Sequence, residues 1–137
     1  MEPHRQFFWE YAVMYRPYIN QLNEQLSPFR LSVPLWSIMH LLFHDGPHTI
    51  GGISNRQNVE KPTITKMVQR LVELDIVEAQ PGSDRRTRII QLTDHGTEVF
   101  GQVREKISSY QESLVKDISE KELRSAALVL RKISRHF

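Results

Sequence analysis

Residues 61–92 read KPTITKMVQRLVELDIVEAQPGSDRRTRIIQL, and this stretch decides the fold. Ile64, Met67, Val68, Leu71 and Leu74 recur at spacings of three and four, which places them on one apolar face of a helix. Pro62 fits the first turn of that helix, where a missing backbone donor costs nothing. Lys66, Gln69, Arg70 and Glu73 fall on the opposite, outward face. The period then changes. Residues 76–80 and 88–92 read as two strands, joined by a polar turn over residues 81–87. The outcome is a hairpin with arginines near its tip, directly after a helix with a basic outer face.

Working outward, Thr49 can cap a short helix that runs to about Val59, although Gly51 and Gly52 each weaken it by about 1 kcal/mol relative to alanine. Before it, Leu35, Ile38, Met39, Leu42 and Phe43 form an apolar stripe that stops at Asp45-Gly46-Pro47. The first helix carries Phe8, Tyr11, Tyr15, Ile19, Leu22 and Leu26 on one face, and Pro17 inside it predicts a bend. Ser27-Pro28 ends it. After the hairpin, a helix from Asp94 is expected to bury Val99, Phe100, Val103, Ile107, Tyr110, Leu114 and Ile118. Ser119 and Glu122 then make a capping box for a last helix with Leu123, Ala127, Leu130 and Ile133 on its inner face.

Four helices, a hairpin and two further helices describe a mainly α, α+β winged helix-turn-helix: six helices with a two-stranded hairpin wing. The 137 residues suffice for a single domain. Within it, residues 34–92 form the winged lobe, while residues 1–27 and 94–137 supply long apolar faces that so small a lobe cannot cover. Those terminal helices are expected to build a homodimer.

The charge distribution points to a partner. The net charge is only +2, yet residues 61–70 carry Lys61, Lys66 and Arg70 with no acid, and residues 81–92 carry Arg85, Arg86 and Arg88 against Asp84. The rest of the chain is net acidic. In a winged helix-turn-helix the second helix of the pair enters the major groove of double-stranded DNA and the wing reaches the backbone or minor groove. The DNA-facing set is therefore Lys61, Pro62, Thr63, Thr65, Lys66, Gln69 and Arg70 on the helix, with Asp84, Arg85, Arg86 and Arg88 on the wing. A winged helix used only for protein interaction is the competing reading. It leaves the arginines unexplained, because charge is depleted at the centre of protein interfaces.

The residues also resemble a family. Gly46-Pro47-His48-Thr49, Lys61-Pro62-Thr63-Ile64-Thr65-Lys66-Met67-Val68-Gln69-Arg70-Leu71, and Asp84-Arg85-Arg86 before Leu92-Thr93 look like the MarR family of bacterial transcription regulators. That resemblance implies a homodimer on pseudo-palindromic DNA, acting as a repressor that a small-molecule effector or oxidation releases. It places Thr63, Lys66 and Arg70 on the recognition helix, makes Arg86 the wing-tip arginine and Asp84 the acid that orients it. Glu60 stands where the family has a small polar cap, and Asp75 where it often turns on glycine.

Other chemistry is narrowed by what is missing from the sequence. There is no cysteine, so disulfides, thiol ligands and thiol oxidation are excluded. No nucleophile elbow, phosphate-binding glycine loop or His-Glu-x-x-His motif occurs, so no enzyme and no cofactor are expected. His40 and His44 are four apart and can place two imidazoles on one metal. A zinc site needs three or four ligands, so the pair is read as capped or solvated. Tyr11, Tyr15, Trp36, His40 and Phe43 are candidates for an effector pocket between the first two helices; such aromatics also serve as core or dimer interface. The apolar stretches are too short for a membrane span and no secretory signal opens the chain, so a cytoplasmic protein is expected.

Overall fold

In a computed structural model, which describes every residue except Arg85, three of the helices begin with a proline in the first turn. These are α1 (Pro3–Leu26), α2 (Val33–Asp45) and α4 (Lys61–Glu73), started by Pro3, Pro34 and Pro62. Proline has its backbone angle preset for a helix and lacks a donor that would go unpaired there. Pro17 lies within the continuous α1. Between α2 and α4 come a two-residue strand, β1 (His48–Thr49), and the short α3 (Ile50–Gln57). The Thr49 hydroxyl accepts from the Gly52 amide at 2.9 Å and caps α3. Asn58 ends it with a left-handed turn at φ 55°.

The wing consists of β2 (Val77–Pro81) and β3 (Arg88–Leu92), paired antiparallel from Val77↔Leu92 to Pro81↔Arg88. Among the described residues the sheet has a third strand, because β1 pairs with β3 through His48↔Ile90 and Thr49↔Ile89. The order is β1-β3-β2, so the hairpin is anchored to the start of α3. The remaining helices are α5 (Asp94–Leu114) and α6 (Glu120–Ser134). The described residues thus hold six α-helices, with a 3₁₀ turn at Ser27–Phe29.

The chain divides into two units, Met1–Glu105 and Lys106–Phe137, and the boundary falls within α5. In the first, Leu26, Ile38, Met39, Ile53, Ile64, Leu71, Ile90, Phe100 and Val103 form a buried core contributed by all five helices and by β3. Ile64, Val68 and Leu71 of α4 are buried as the spacing predicts, whereas Met67 and Leu74 are half-buried. Packing against α2, α3 and β2 fixes which side of α4 faces outward.

In the second unit Ser119 caps α6, its hydroxyl accepting from the Glu122 amide at 3.1 Å and donating to the Glu122 carboxylate at 3.0 Å. Here the expected burial is corrected. Helix α5 stops at Leu114, Ile118 lies in the following turn, and both side chains are exposed. Ala127 and Leu130 are also exposed, and no residue of α6 is buried. A unit this small has too little interior to cover the apolar faces of its helices. On α1, Phe8, Tyr11 and Tyr15 are likewise exposed. Among the described residues no helix is long and apolar enough to cross a membrane.

Candidate nucleic-acid interface

Burial of Ile64, Val68 and Leu71 leaves Lys61, Pro62, Thr63, Thr65, Lys66 and Gln69 exposed on the other side of α4. Arg70 is half-buried and forms an ion pair with Glu73, Nη1 to Oε2 at 3.2 Å. Its charge is therefore partly answered before any ligand arrives. Glu60 occupies the cap position of α4 and makes no side-chain cap bond, leaving first-turn amides of the helix without one.

Asp84 orders the described part of the wing tip through backbone amides. Its carboxylate accepts from the Arg86 backbone amide at 3.1 Å, and its carbonyl accepts from the Thr87 amide at 3.1 Å. The Gly82 amide then donates to the Thr87 carbonyl at 2.8 Å and closes the turn. Arg86 and Arg88 are exposed, and Arg85 lies outside the described residues. Arg86 and Arg88 line a notch of about 480 Å³ together with Lys61, Thr87 and residues 49–51. Cations from the hairpin and from the start of α4 thus share one concavity, open to an anionic oxygen. Thr49 and Gly51 escaped the sequence reading as parts of this wall. The cap at Thr49 was the one available signal.

A second concavity lies beside α2. Phe100 is sandwiched between Trp36 and Phe43, with ring centroids at 4.7 and 4.1 Å, and Arg104 lies 5.3 and 5.4 Å from the centroids of Phe43 and Phe100. Trp36, His40, His44, Asp45 and Arg56 line a cavity of about 520 Å³. Tyr11 and Tyr15 contact each other at 5.8 Å on the exposed face of α1 and are absent from that lining, as is Phe43. Of the five effector-pocket candidates the structure brings Trp36 and His40 into the cavity, and adds Asp45 and Arg56, which form an ion pair at 2.5 Å.

The rings of His40 and His44 are 4.3 Å apart. Partial burial, then His44, then Arg104 lower the His40 pKa below its ordinary value, and Asp45 opposes them. Among the described residues no group of three possible ligands is placed to hold a metal ion.

Comparison with known proteins matches this chain to the sequence profile of the MarR family over residues 31–87, from just before α2 to the wing tip. The HTH-type transcriptional regulator YwoH of Bacillus subtilis strain 168 is 33% identical over 100 residues, 73% of each chain. A Staphylococcus aureus MarR, solved in complex with salicylate and kanamycin, superposes with a TM-score of 0.87 at 26% identity, over 96% of this chain and 89% of that one. The transcriptional regulator BldR from Sulfolobus solfataricus gives 0.84 at 25% identity over 100% of both chains.

Proposed function

We propose, since the chain belongs to the MarR family of transcription regulators, that it acts as a repressor: a homodimer on a pseudo-palindromic operator, released by a small molecule. As a member of that family it is a DNA-binding transcription regulator and not an enzyme. The observation that carries the DNA-contact reading is the notch where Lys61 meets Arg86 and Arg88, beside the exposed Thr63, Thr65, Lys66 and Gln69. Phosphate contacts there set the register of the duplex, and the outer face of α4 reads base edges.

The dimer reading is supported by apolar side chains that one chain leaves in water, Phe8, Trp9 and Tyr11 on α1 and Leu128, Val129 and Leu130 on α6. Patches of that kind mark protein contact surfaces. Release by a small molecule is supported by the cavity beside α2 and by the salicylate bound to the S. aureus relative. Sensing through a thiol is ruled out by the absence of cysteine.

The test is anisotropy of labelled DNA from the region flanking the gene, titrated at several salt concentrations. Half-sites are expected roughly 10 base pairs apart between centres, so that both α4 helices enter one face of the duplex. Arg86→Ala is expected to weaken binding by about 1–3 kcal/mol. Lys66→Ala, if it loses a phosphate contact, lowers the salt slope by about one. Unchanged affinity and salt slope in both variants would overturn the DNA contacts assigned here and favour a protein-interaction role for this winged helix.

A further inference from the structure

Glu73 is an acid where elementary electrostatics disfavours one twice. It is the last residue of α4, and a negative charge at that end opposes the helix dipole. It is also exposed on the outward face. At about 100° per residue it lies opposite the buried Ile64, Val68 and Leu71, in line with Pro62, Lys66 and Gln69. That line is the one the proposed function turns toward DNA, a polyanion. Arg70 meets the acid on the same side of the helix, Nη1 to Oε2 at 3.2 Å, and the two side chains are 42% and 66% exposed, open to a ligand. An exposed pair three residues apart adds little to stability, so folding alone gives the acid no reason to be there.

We propose that Arg70 and Glu73 act as one unit that reads a G·C base pair in each half-site, Arg70 donating to guanine O6 and N7 and Glu73 accepting from cytosine N4. The inference rests on the DNA-contact reading above and makes Glu73 a specificity-determining residue.

The major-groove edge of a G·C pair presents the N7 and O6 acceptors and then the N4 donor. Guanine O6 and cytosine N4 are hydrogen-bonded to each other, so they lie ~3 Å apart. The Arg70 nitrogen and the Glu73 oxygen, at 3.2 Å, offer the complementary donor and acceptor at a matching separation. Nη1 carries two hydrogens, so it can hold Glu73 with one and face O6 with the other. Other edges break the match. An A·T pair puts the N6 donor against the guanidinium and the thymine O4 acceptor against the carboxylate. A carboxylate left facing an acceptor costs more than the contact it loses. Glu73 also repels phosphate, which weakens every sequence alike, and the cytosine contact offsets that loss only at the matching base pair. Long helical side chains lean toward the N-terminus, so both heads lie toward the turn of Lys66 and Gln69 and not beyond the end of α4.

Selection of duplexes from a randomised palindrome library by the intact protein, by Arg70→Ala, by Glu73→Ala and by the double variant tests the pair. Glu73 is exposed and alanine is the best helix former, so Glu73→Ala is expected to fold. The wild type should select G·C at one position in each half-site and prefer it over A·T by roughly tenfold or more in anisotropy titrations. Arg70→Ala should lose the preference at that position and at no other. Glu73→Ala should reduce it severalfold while binding non-cognate duplexes more tightly, and the double variant should discriminate no worse than Arg70→Ala. A preference left intact in Glu73→Ala overturns the proposal, because Glu73 is then only a counter-charge to Arg70. So does a wild-type preference other than G·C at the position that Arg70→Ala erases. A selection that returns no operator, or one with no position that depends on Arg70, also overturns the pair. In either case a salt-dependent affinity that Lys66→Ala and Arg86→Ala weaken still upholds the DNA contacts, and an affinity that neither variant changes overturns those as well.

Discussion

Thr93 and Gly96 carry the junction between the wing and α5. The Thr93 amide donates to the Ile76 carbonyl at 3.0 Å, while its hydroxyl donates to the Asp75 carbonyl at 2.6 Å and accepts from the Gly96 amide at 2.9 Å. One residue thereby caps α5 and ties it to the turn after α4. The turn needs Asp75 at φ 59°, a left-handed geometry that a short polar side chain tolerates better than most. Gly96 lies so close to that turn that a Cβ there would overlap the Ile76 carbonyl oxygen and carbon. Gly96→Ala should destabilise the chain by about 1–3 kcal/mol or more, read as a lower urea midpoint with an unchanged slope. Nothing in the sequence announces this glycine, because its constraint comes from a residue twenty positions away. Thr93 was legible only as part of the Leu-Thr pair in the family resemblance.

His40 gives the residue scale a pH dependence. Its folded pKa is lowered, so between that value and the ordinary 6.5 the unfolded chain binds more protons than the folded one. Its contribution is therefore complete above pH 6.5 and is lost as the pH falls through the folded pKa. Thermal melts of the wild type and His40→Gln across pH 7.5 to 5 check the sign: the variant should lose less stability on acidification. A larger loss in the variant contradicts the assignment.

Among the elements, α3 is the weakest by its own sequence. It has eight residues, two of them glycine, and only Ile53 buried. Its hold comes from the Thr49 cap, the β1 pairing, the Arg56–Asp45 ion pair and the Ser54 hydroxyl, which donates to the Val59 carbonyl at 2.5 Å. A Cβ at Gly51 would meet Lys61 Cε at 3.5 Å, an ordinary contact with the end of a flexible side chain. Gly51→Ala should therefore raise stability by about 0.5–1 kcal/mol, measured by urea unfolding. Helix starts, the cap at Thr49 and the hairpin turn were legible because each depends on residues within one or two turns. Strand β1 was not, since two residues show no period and its partner is in β3. The ion pair from Arg70 to Glu73 was missed although both residues are three apart on one helix, a spacing that sequence alone offers.

For the whole molecule, the question is where the exposed apolar surface goes. Phe8, Trp9, Val13 and Met14 on α1 and Leu128, Val129 and Leu130 on α6 are too many for scattered surface residues. The periodicity of these helices was plain in the sequence, but periodicity marks an apolar face without saying whether the same chain covers it. That is why Leu114 and Ile118 were expected inside and are found outside. The intact protein is expected to sediment at twice its 16.1 kDa. Removal of residues 119–137 should give monomers or aggregates with much weaker operator binding. A truncated chain that sediments as a fully active dimer contradicts the assignment of these helices.

The pairing of β1 also has a kinetic meaning. His48 joins Ile90 across 42 positions of chain, whereas the β2–β3 hairpin closes through a short turn. Closing the longer loop costs more chain entropy, and two residues of ladder return little of it. The hairpin can therefore form early, and β1 docks late and opens first. Each opening frees Thr49, the cap of α3 and a wall of the cationic notch, so the notch is rebuilt whenever this short strand closes again.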